Sequence, residues 1–145
     1  GCKVLVIGKH NSKLQILRQI NSDIKTAILK DTCPNRSADA VVDCTGSSTG
    51  LPTALQHVKP WGTIIQKTTV AGKQTLALAP IVIDEVRIVG SRCGPFGDAL
   101  AGLESGRVEV KPLISKRFPL DQAVEALNLT SSQPVLKVLL DVSTE

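Results

Sequence analysis

Short apolar runs alternate with amphipathic stretches along most of the chain. Runs rich in valine and isoleucine predict strands at 3–8, 24–30, 39–44, 62–70, 86–90 and 135–142, with a weaker strand at 113–118. Apolar positions at helical spacing predict helices at 12–20, 49–58 and 97–105, and a last amphipathic helix from Pro119 with Leu120, Ala123, Val124 and Leu127 on one face. The segment 59–62 predicts a turn, and 31–38 and 71–80 predict irregular segments. Strands that alternate with helices are typical of a parallel, doubly wound α/β sheet.

Composition narrows the classes of partner. The chain has 145 residues, of which 42% are apolar, and no apolar run approaches the length that spans a bilayer. The net charge of +4 suits an anionic ligand. With two Phe, one Trp and no Tyr, the chain offers almost no stacking platform for bases, and its basic residues are scattered. We therefore expect neither a nucleic-acid partner nor a membrane partner.

The cysteines and histidines form no recognisable metal motif. Cys2, Cys33, Cys44 and Cys93 include no C-x-x-C pair, and the two histidines do not complete a zinc pattern. We predict free thiols in a reducing, cytoplasmic compartment, with Cys44 as a small core residue and no metal site in this chain. The chain contains no methionine, and we interpret it as a piece of a longer protein.

A series of segments carries a family resemblance. In chain order they are VVDCTGSSTGLPTAL (41–55), PWGTIIQKTTVAG (60–72), VRIVGSRCGPF (86–96), PLISKRFPLDQAVEAL (112–127) and VLKVLLDV (135–142). Together they resemble the C-terminal part of the medium-chain, zinc-dependent alcohol dehydrogenase superfamily, including its threonine and sorbitol dehydrogenase-like branches. The similarity covers nearly the whole chain in order.

The resemblance implies a partial cofactor domain. Family members begin with a catalytic domain that carries the zinc ligands, and their cofactor domain opens with a strand and a Gly-rich turn. No G-x-G-x-x-G occurs in this sequence. We therefore expect residues 1–145 to form a single partial Rossmann-like domain that lacks this first strand–turn–helix unit, with about 113–145 as a C-terminal return segment. In the strand order 3-2-1-4-5-6 the central strand would be missing, which leaves two half-sheets. The alternative is direct pairing of the strands at 3–8 and 39–44.

The first predicted strand then corresponds to the second strand of the family's cofactor domain. The end of that strand meets the adenosine ribose, where a carboxylate selects NAD and basic residues attract a 2′-phosphate. Here the strand ends at Gly8, followed by Lys9 and His10, and the next acid is Asp23. The sequence predicts a preference for NADP over NAD, with Lys9, His10 and Lys13 near the phosphate. A solvated basic loop is the alternative.

By resemblance, further cofactor-binding residues lie where later strands end. A small residue after the third predicted strand would let the cofactor approach the backbone. The end of the fourth strand would lie near the nicotinamide ribose, and main-chain groups at the end of the fifth would bind the carboxamide. In that order these residues are Thr45 and Gly46; Lys67, Thr68 and Thr69; and Ser91, Arg92 and Cys93. Lys137, in the last strand, would lie near the pyrophosphate. The alternatives are an ordinary turn, strand propensity and a surface lysine.

The resemblance implies that the parent protein is an oxidoreductase. It would move hydride between a nicotinamide and a small alcohol or carbonyl substrate, with any zinc in the absent catalytic domain. No residue of this chain is assigned a catalytic role, and Asp43 lacks the paired carboxylate that acid–base chemistry would use. We expect the isolated chain to be inactive and to bind dinucleotide poorly, and the parent to be a homodimer or tetramer with a contact near 86–90. The alternative is a non-catalytic remnant or a nucleotide-sensing module.

Overall fold

A computed structural model describes residues 1–72 and 75–142 as seven strands, five α-helices and three short 3₁₀ turns. The strands are β1 (Leu5–Gly8), β2 (Lys25–Ile28), β3 (Ala38–Asp43), β4 (Val58–Gln66), β5 (Arg87–Gly90), β6 (Ile114–Pro119) and β7 (Lys137–Asp141). The helices are α1 (Asn11–Ile20), α2 (Gly50–His57), α3 (Ala79–Ile83), α4 (Phe96–Glu104) and α5 (Ala123–Ser132). The 3₁₀ turns are Leu29–Asp31, Lys111–Leu113 and Leu120–Gln122.

All described ladders are parallel, which confirms the predicted α/β class. The strands form three separate sheets, in the orders β1-β2, β3-β4-β5 and β6-β7. β1 and β3 therefore belong to different sheets among the described strands, and the alternative of direct pairing is not observed there. The expectation of two half-sheets is wrong in number, because β6 and β7 pair in a third sheet. The chain divides into two compact units, one of Gly1–Thr32 with the described part of Phe96–Glu145, and one of Cys33–Pro95.

The first unit begins with a β1–α1–β2 crossover. Leu14 of α1 is 3% exposed, and a Cβ added to Gly8 would lie 3.1 Å from its Cδ2 atom. The absence of a side chain at Gly8 thus lets the helix pack against the end of β1. The predicted strand at 24–30 is shorter than expected because its last residues turn into the 3₁₀ turn Leu29–Asp31.

β6, α5 and β7 also belong to the first unit, as does α4. Phe118 is buried on β6, and Arg117 of the same strand pairs with Asp141 of β7 at 2.8 Å between Nη1 and Oδ1. The last helix begins at Ala123 and not at Pro119, because Pro119 is extended and pairs with β7. Its buried residue is Ala126, whereas the predicted apolar face is mostly exposed, with Leu120 at 51%, Val124 at 72% and Leu127 at 66%.

The second unit packs α2 against the β3-β4-β5 sheet. Its core consists of Ala54, Val58, Ile64 and Val86. The five-residue helix α3 was not predicted, because its sequence APIVI has no helical periodicity. β5 is the outer strand of the described ladder, and its Ile88 and Val89 are 39% and 50% exposed. The expected contact between copies near 86–90 stays a prediction.

The prediction of a turn at 59–62 is wrong in part, because these residues form a bulge inside β4. Ala38 pairs with Val58 and Ala40 with Thr63, so residues 59–62 stand opposite Asp39 alone. Trp61 has a φ of 59° and donates its main-chain N–H to the carbonyl of Asp84 at 2.8 Å. Its indole is largely solvated, since the residue is 73% exposed.

None of the described helices has the length and apolar character needed to cross a bilayer. The cytoplasmic location stays a prediction.

The bulge predicts a stabilising substitution. A bulky residue in the left-handed region costs roughly 1–2 kcal/mol, and glycine removes that cost while adding some unfolded-state entropy. Trp61→Gly should therefore raise the free energy of unfolding by roughly 0.5–1 kcal/mol, measured by urea denaturation with far-ultraviolet circular dichroism. Trp61→Ala is the control, because it removes the indole but keeps Cβ. An equal gain in both variants would mean that the backbone conformation is not the cause.

Candidate functional site

Polar groups gather at the carboxyl ends of β3, β4 and β5 in the second unit, where ligands bind in open parallel sheets. The Gly46 N–H donates to Thr68 Oγ1 at 3.1 Å, which joins the segment after β3 to the segment after β4. Lys67 Nζ donates to the Arg92 carbonyl at 2.7 Å and lies 3.4 Å from Ser91 Oγ, which joins the segments after β4 and β5. The structure thus brings these five predicted residues together.

The centre of this edge is Asp43, a residue to which the sequence analysis gave no role. It is the last residue of β3 and only 2% exposed. Its Oδ1 accepts the Thr45 N–H at 3.0 Å and the Thr68 hydroxyl at 2.9 Å, and its Oδ2 accepts the Gln66 amide at 2.8 Å. The sequence signal was an acid that ends an apolar strand just before Cys44-Thr45, with hydroxyl and amide donors at the end of the following strand.

This carboxylate is held in its ionised form. Burial by itself raises the pKa of Asp43, but the hydrogen bonds it accepts outweigh that effect and hold its pKa below the ordinary value. They come from the Thr45 main chain, the Thr45 hydroxyl, the Gln66 amide and the Thr68 hydroxyl. Because the folded pKa is lowered, the charge stabilises the fold above the unfolded carboxyl pKa. That contribution is lost as the pH falls through the folded pKa.

Main-chain hydrogen bonds also join the end of β3 to the segment after β4. The Asp43 carbonyl accepts the N–H groups of Lys67 at 2.9 Å and Thr68 at 3.0 Å. Gln66 Oε1 is buried and has no hydrogen-bond partner among the described residues. The side chain of Gln66 is thus oriented by the hydrogen bond that its NH₂ group donates to Asp43 Oδ2, even though an unpaired buried acceptor costs about 1–3 kcal/mol.

Two glycines lie next to Asp43 and the end of β3, and they affect the local structure in different ways. Gly46 has a φ of 65°, a conformation that favours glycine, and a Cβ added there would meet no atom within 4 Å. At Gly50, the first residue of α2, an added Cβ would collide with the Asp43 carboxylate and the Thr45 hydroxyl. The helix can therefore start against the carboxylate only because Gly50 has no side chain.

Three predicted residues make few or no contacts. Thr69 and Cys93 are exposed beside the cluster. Lys137 is exposed at the amino end of β7 in the first unit, where it pairs in register with Ile114. The structure therefore gives no local support to its predicted role near a pyrophosphate, and that role stays a prediction.

The first unit has an open pocket at the carboxyl ends of β1 and β2, with two lysines among its lining residues. It has a volume of about 360 Å³ and is lined by Lys9, Ile28, Leu29 and Lys30. His10 is the N-cap residue of α1 and makes no side-chain capping hydrogen bond, and Lys13 lies in the first turn of that helix. Sequence reasoning missed Lys30, although a basic residue at the end of the predicted strand 24–30 was the signal for it.

The described residues do not bring together three His, Cys, Asp or Glu side chains that could hold a metal ion. The four cysteines are free and exposed, so the prediction that Cys44 is a core residue is wrong. Cys44 directly follows the last residue of β3, and the inward position at the strand end is taken by Asp43.

Comparison with known proteins places these features in a family. The model of a family described as zinc-binding dehydrogenase matches residues 1–104. Sorbitol dehydrogenase from Mus musculus is 28% identical over 153 aligned residues, which cover 97% of this chain and 43% of the relative. The enzyme from Gallus gallus is 27% identical, with 94% and 42% covered. The chain therefore spans less than half the length of these relatives, and the family match ends before β6.

Solved structures show the same fold. An alcohol dehydrogenase from Thermus sp. ATN1 superposes with a TM-score of 0.87 at 21% identity, covering 99% of this chain and 45% of that one. An Escherichia coli CFT073 alcohol dehydrogenase in complex with NADH gives 0.85 at 18% identity, with 97% and 44% covered. A Sinorhizobium meliloti 1021 protein bound to NADP gives 0.84 at 19% identity, with 98% and 46% covered. These superpositions confirm the predicted Rossmann-like fold, and the match over residues 1–104 confirms the expected family.

The packing of Gly50 against Asp43 predicts that two glycine-to-alanine substitutions change the free energy of unfolding differently. Gly50→Ala should lower the free energy of unfolding by roughly 1–3 kcal/mol, because the new methyl group overpacks the carboxylate. Gly97→Ala is the matched control in the first turn of α4, where an added Cβ meets no atom within 4 Å. It should leave stability unchanged or raise it by up to about 1 kcal/mol. Urea denaturation checks both, and equal effects would contradict the close approach at Gly50.

Proposed function

Because the chain belongs to the zinc-binding dehydrogenase family, we propose that it is the cofactor-binding part of an oxidoreductase that acts on a small alcohol or carbonyl substrate. The observation that carries this proposal is the hydrogen-bonded edge at the ends of β3, β4 and β5, within the region that matches the family. When bound there, the nicotinamide ring would supply the hydride acceptor or donor. The residues of this chain would hold and orient it.

The second unit would hold the nicotinamide end of the cofactor. Main-chain groups of Ser91–Cys93 would bind the carboxamide, and Lys67–Thr69 with Thr45 and Gly46 would border the ribose. The open space above Gly46 supports a close approach at this point. Lys137 near the pyrophosphate remains part of the proposal.

The first unit would hold the adenosine end, with a preference for NADP over NAD. Lys9 and Lys30 line one cavity, and neither forms an ion pair among the residues that the structure describes. His10 and Lys13 add positive or donor groups at the start of α1. One solved neighbour holds NADH and another NADP, so the preference rests on the charges of this chain. A 2′-phosphate would gain charge-assisted hydrogen bonds from these lysines.

The family description also implies zinc. The described residues offer no group of ligands that fits a metal ion, and no residue or step is assigned to zinc here.

The charges in the first unit predict a cofactor preference that can be measured. In the 145-residue chain, NADP⁺ should bind more tightly than NAD⁺ when amide chemical shifts are followed by NMR. Replacing both Lys9 and Lys30 by alanine should weaken NADP⁺ roughly tenfold or more, since a charge-assisted hydrogen bond contributes about 1.5–3 kcal/mol, and should change NAD⁺ little. Lys25→Ala is the control, because Lys25 lies at the opposite end of β2. Equal or NAD-favouring affinity in the unmodified chain would contradict the preference.

Because we propose that this chain only binds the cofactor, we expect no turnover by the chain alone. No group of the described residues is assigned to proton transfer or substrate activation, so mixing the chain with sorbitol and either dinucleotide should yield no reduced cofactor. Absorbance at the reduced-nicotinamide band measures this, with a full-length sorbitol dehydrogenase as the positive control. Turnover by the isolated chain would overturn the proposal that it only binds cofactor. A complete lack of dinucleotide binding would favour a non-binding remnant.

A further inference from the structure

Asp43 is a buried, ionised carboxylate at the end of an apolar strand, and this position requires an explanation. Asp43 follows Val41 and Val42 and is almost fully buried. Removing such a charge from water costs several kcal/mol, and an apolar residue of similar size is often as stable at a buried position. Packing of the core alone therefore does not explain the charge. Its function must lie in what the carboxylate holds.

The side-chain and main-chain groups that the carboxylate binds belong to the functional edge and not to the core. Thr45 lies after β3, Gln66 ends β4, and Thr68 lies after β4. No described donor to this carboxylate comes from the interior of the sheet. The carboxylate thus ties two neighbouring loops to the end of one strand.

The direction of the hydrogen bonds depends on the negative charge. A carboxylate only accepts, so the Thr68 hydroxyl must donate its proton to Asp43 and can accept the Gly46 N–H with a lone pair. The same constraint orients Gln66, whose NH₂ group faces Oδ2. An asparagine at this position would remove the charge and place an NH₂ group at one of the two carboxylate oxygens, so at least one of these donors would lose its charged acceptor.

We propose that Asp43 is a positioning residue that holds the segments Thr45–Gly46 and Thr68–Thr69 in the shape required by the nicotinamide ribose of the bound dinucleotide. Asp43 itself touches no reacting atom, and it acts through Thr45 and Thr68. This inference rests on the proposed function, because it assigns the nicotinamide end of the cofactor to this edge. It goes further in naming the group that shapes that end.

The first test separates the two halves of the cofactor. Nicotinamide mononucleotide and 2′,5′-ADP are titrated separately into the 145-residue chain, and amide shifts are followed by NMR. In the unmodified chain the mononucleotide should shift the amides of Thr45 and Thr68, and 2′,5′-ADP those of Lys9 and Lys30. Asp43→Asn should weaken the mononucleotide roughly tenfold, the effect of losing a hydrogen bond to a charged group, and leave 2′,5′-ADP unchanged. A purely structural role would instead weaken both ligands or neither.

A pair of Thr68 variants provides a test that does not depend on the correct folding of Asp43→Asn. Thr68→Val is nearly isosteric but removes the hydroxyl that links Asp43 to Gly46, so it should weaken the mononucleotide as Asp43→Asn does. Thr68→Ser returns the hydroxyl and should restore binding. Hydrogen exchange without ligand provides an independent measure: the Thr45 amide should exchange at least roughly tenfold faster in Asp43→Asn, since it loses a charge-assisted bond.

The outcomes distinguish failure of this inference from failure of the proposed function. Unchanged mononucleotide binding in both Asp43→Asn and Thr68→Val would overturn the positioning role while leaving cofactor binding intact. No response of the unmodified chain to the mononucleotide, with a normal response to 2′,5′-ADP, would also overturn it. No response to either half, even at ligand concentrations high enough to detect weak binding, would overturn the proposed function itself. The exchange rates would then still show whether Asp43 holds the loops.

Discussion

The arrangement of the second unit depends on one buried negative charge at the end of a strand. Asp43 accepts main-chain, amide and hydroxyl hydrogen bonds, and the donors lie at the end of β4 or just after the ends of β3 and β4. The start of α2 is subject to the same constraint, because Gly50 packs where any side chain would collide with the carboxylate. The carboxylate therefore couples these segments in addition to the main-chain bonds that Lys67 and Thr68 donate to the Asp43 carbonyl.

The sheets show a second constraint, which is the number of strands available for pairing. β1 and β3 are each paired on one side only in the described ladders. An unpaired parallel edge exposes main-chain donors and acceptors and favours association with another strand. The relatives are more than twice as long as this chain. Val124 and Leu127 of α5 are also largely exposed apolar side chains.

Hydrophobic periodicity was enough to locate most elements of the fold. The strands at β1, β3 and β5 and the helices α1, α2 and α4 were predicted to within about two residues, because each is a separate apolar or amphipathic run. Tertiary contacts decided the rest. The bulge at Trp61 depends on a main-chain bond to Asp84, and α5 starts late because Pro119 pairs with β7. At the candidate site the strand ends were predictable from parallel topology, whereas the role of Asp43 required the directions of several side chains.

Trp61 has a spectroscopic consequence for the same strand. It is the sole tryptophan, and it lies in the bulge near the amino end of β4, while the candidate nicotinamide edge begins after Gln66. Five residues of strand correspond to roughly 17 Å, a separation over which resonance energy transfer is efficient. Indole emission overlaps the absorption band of reduced nicotinamide. The protein thus carries an intrinsic fluorophore whose quenching would report, without any label, whether a reduced cofactor has reached the far end of β4.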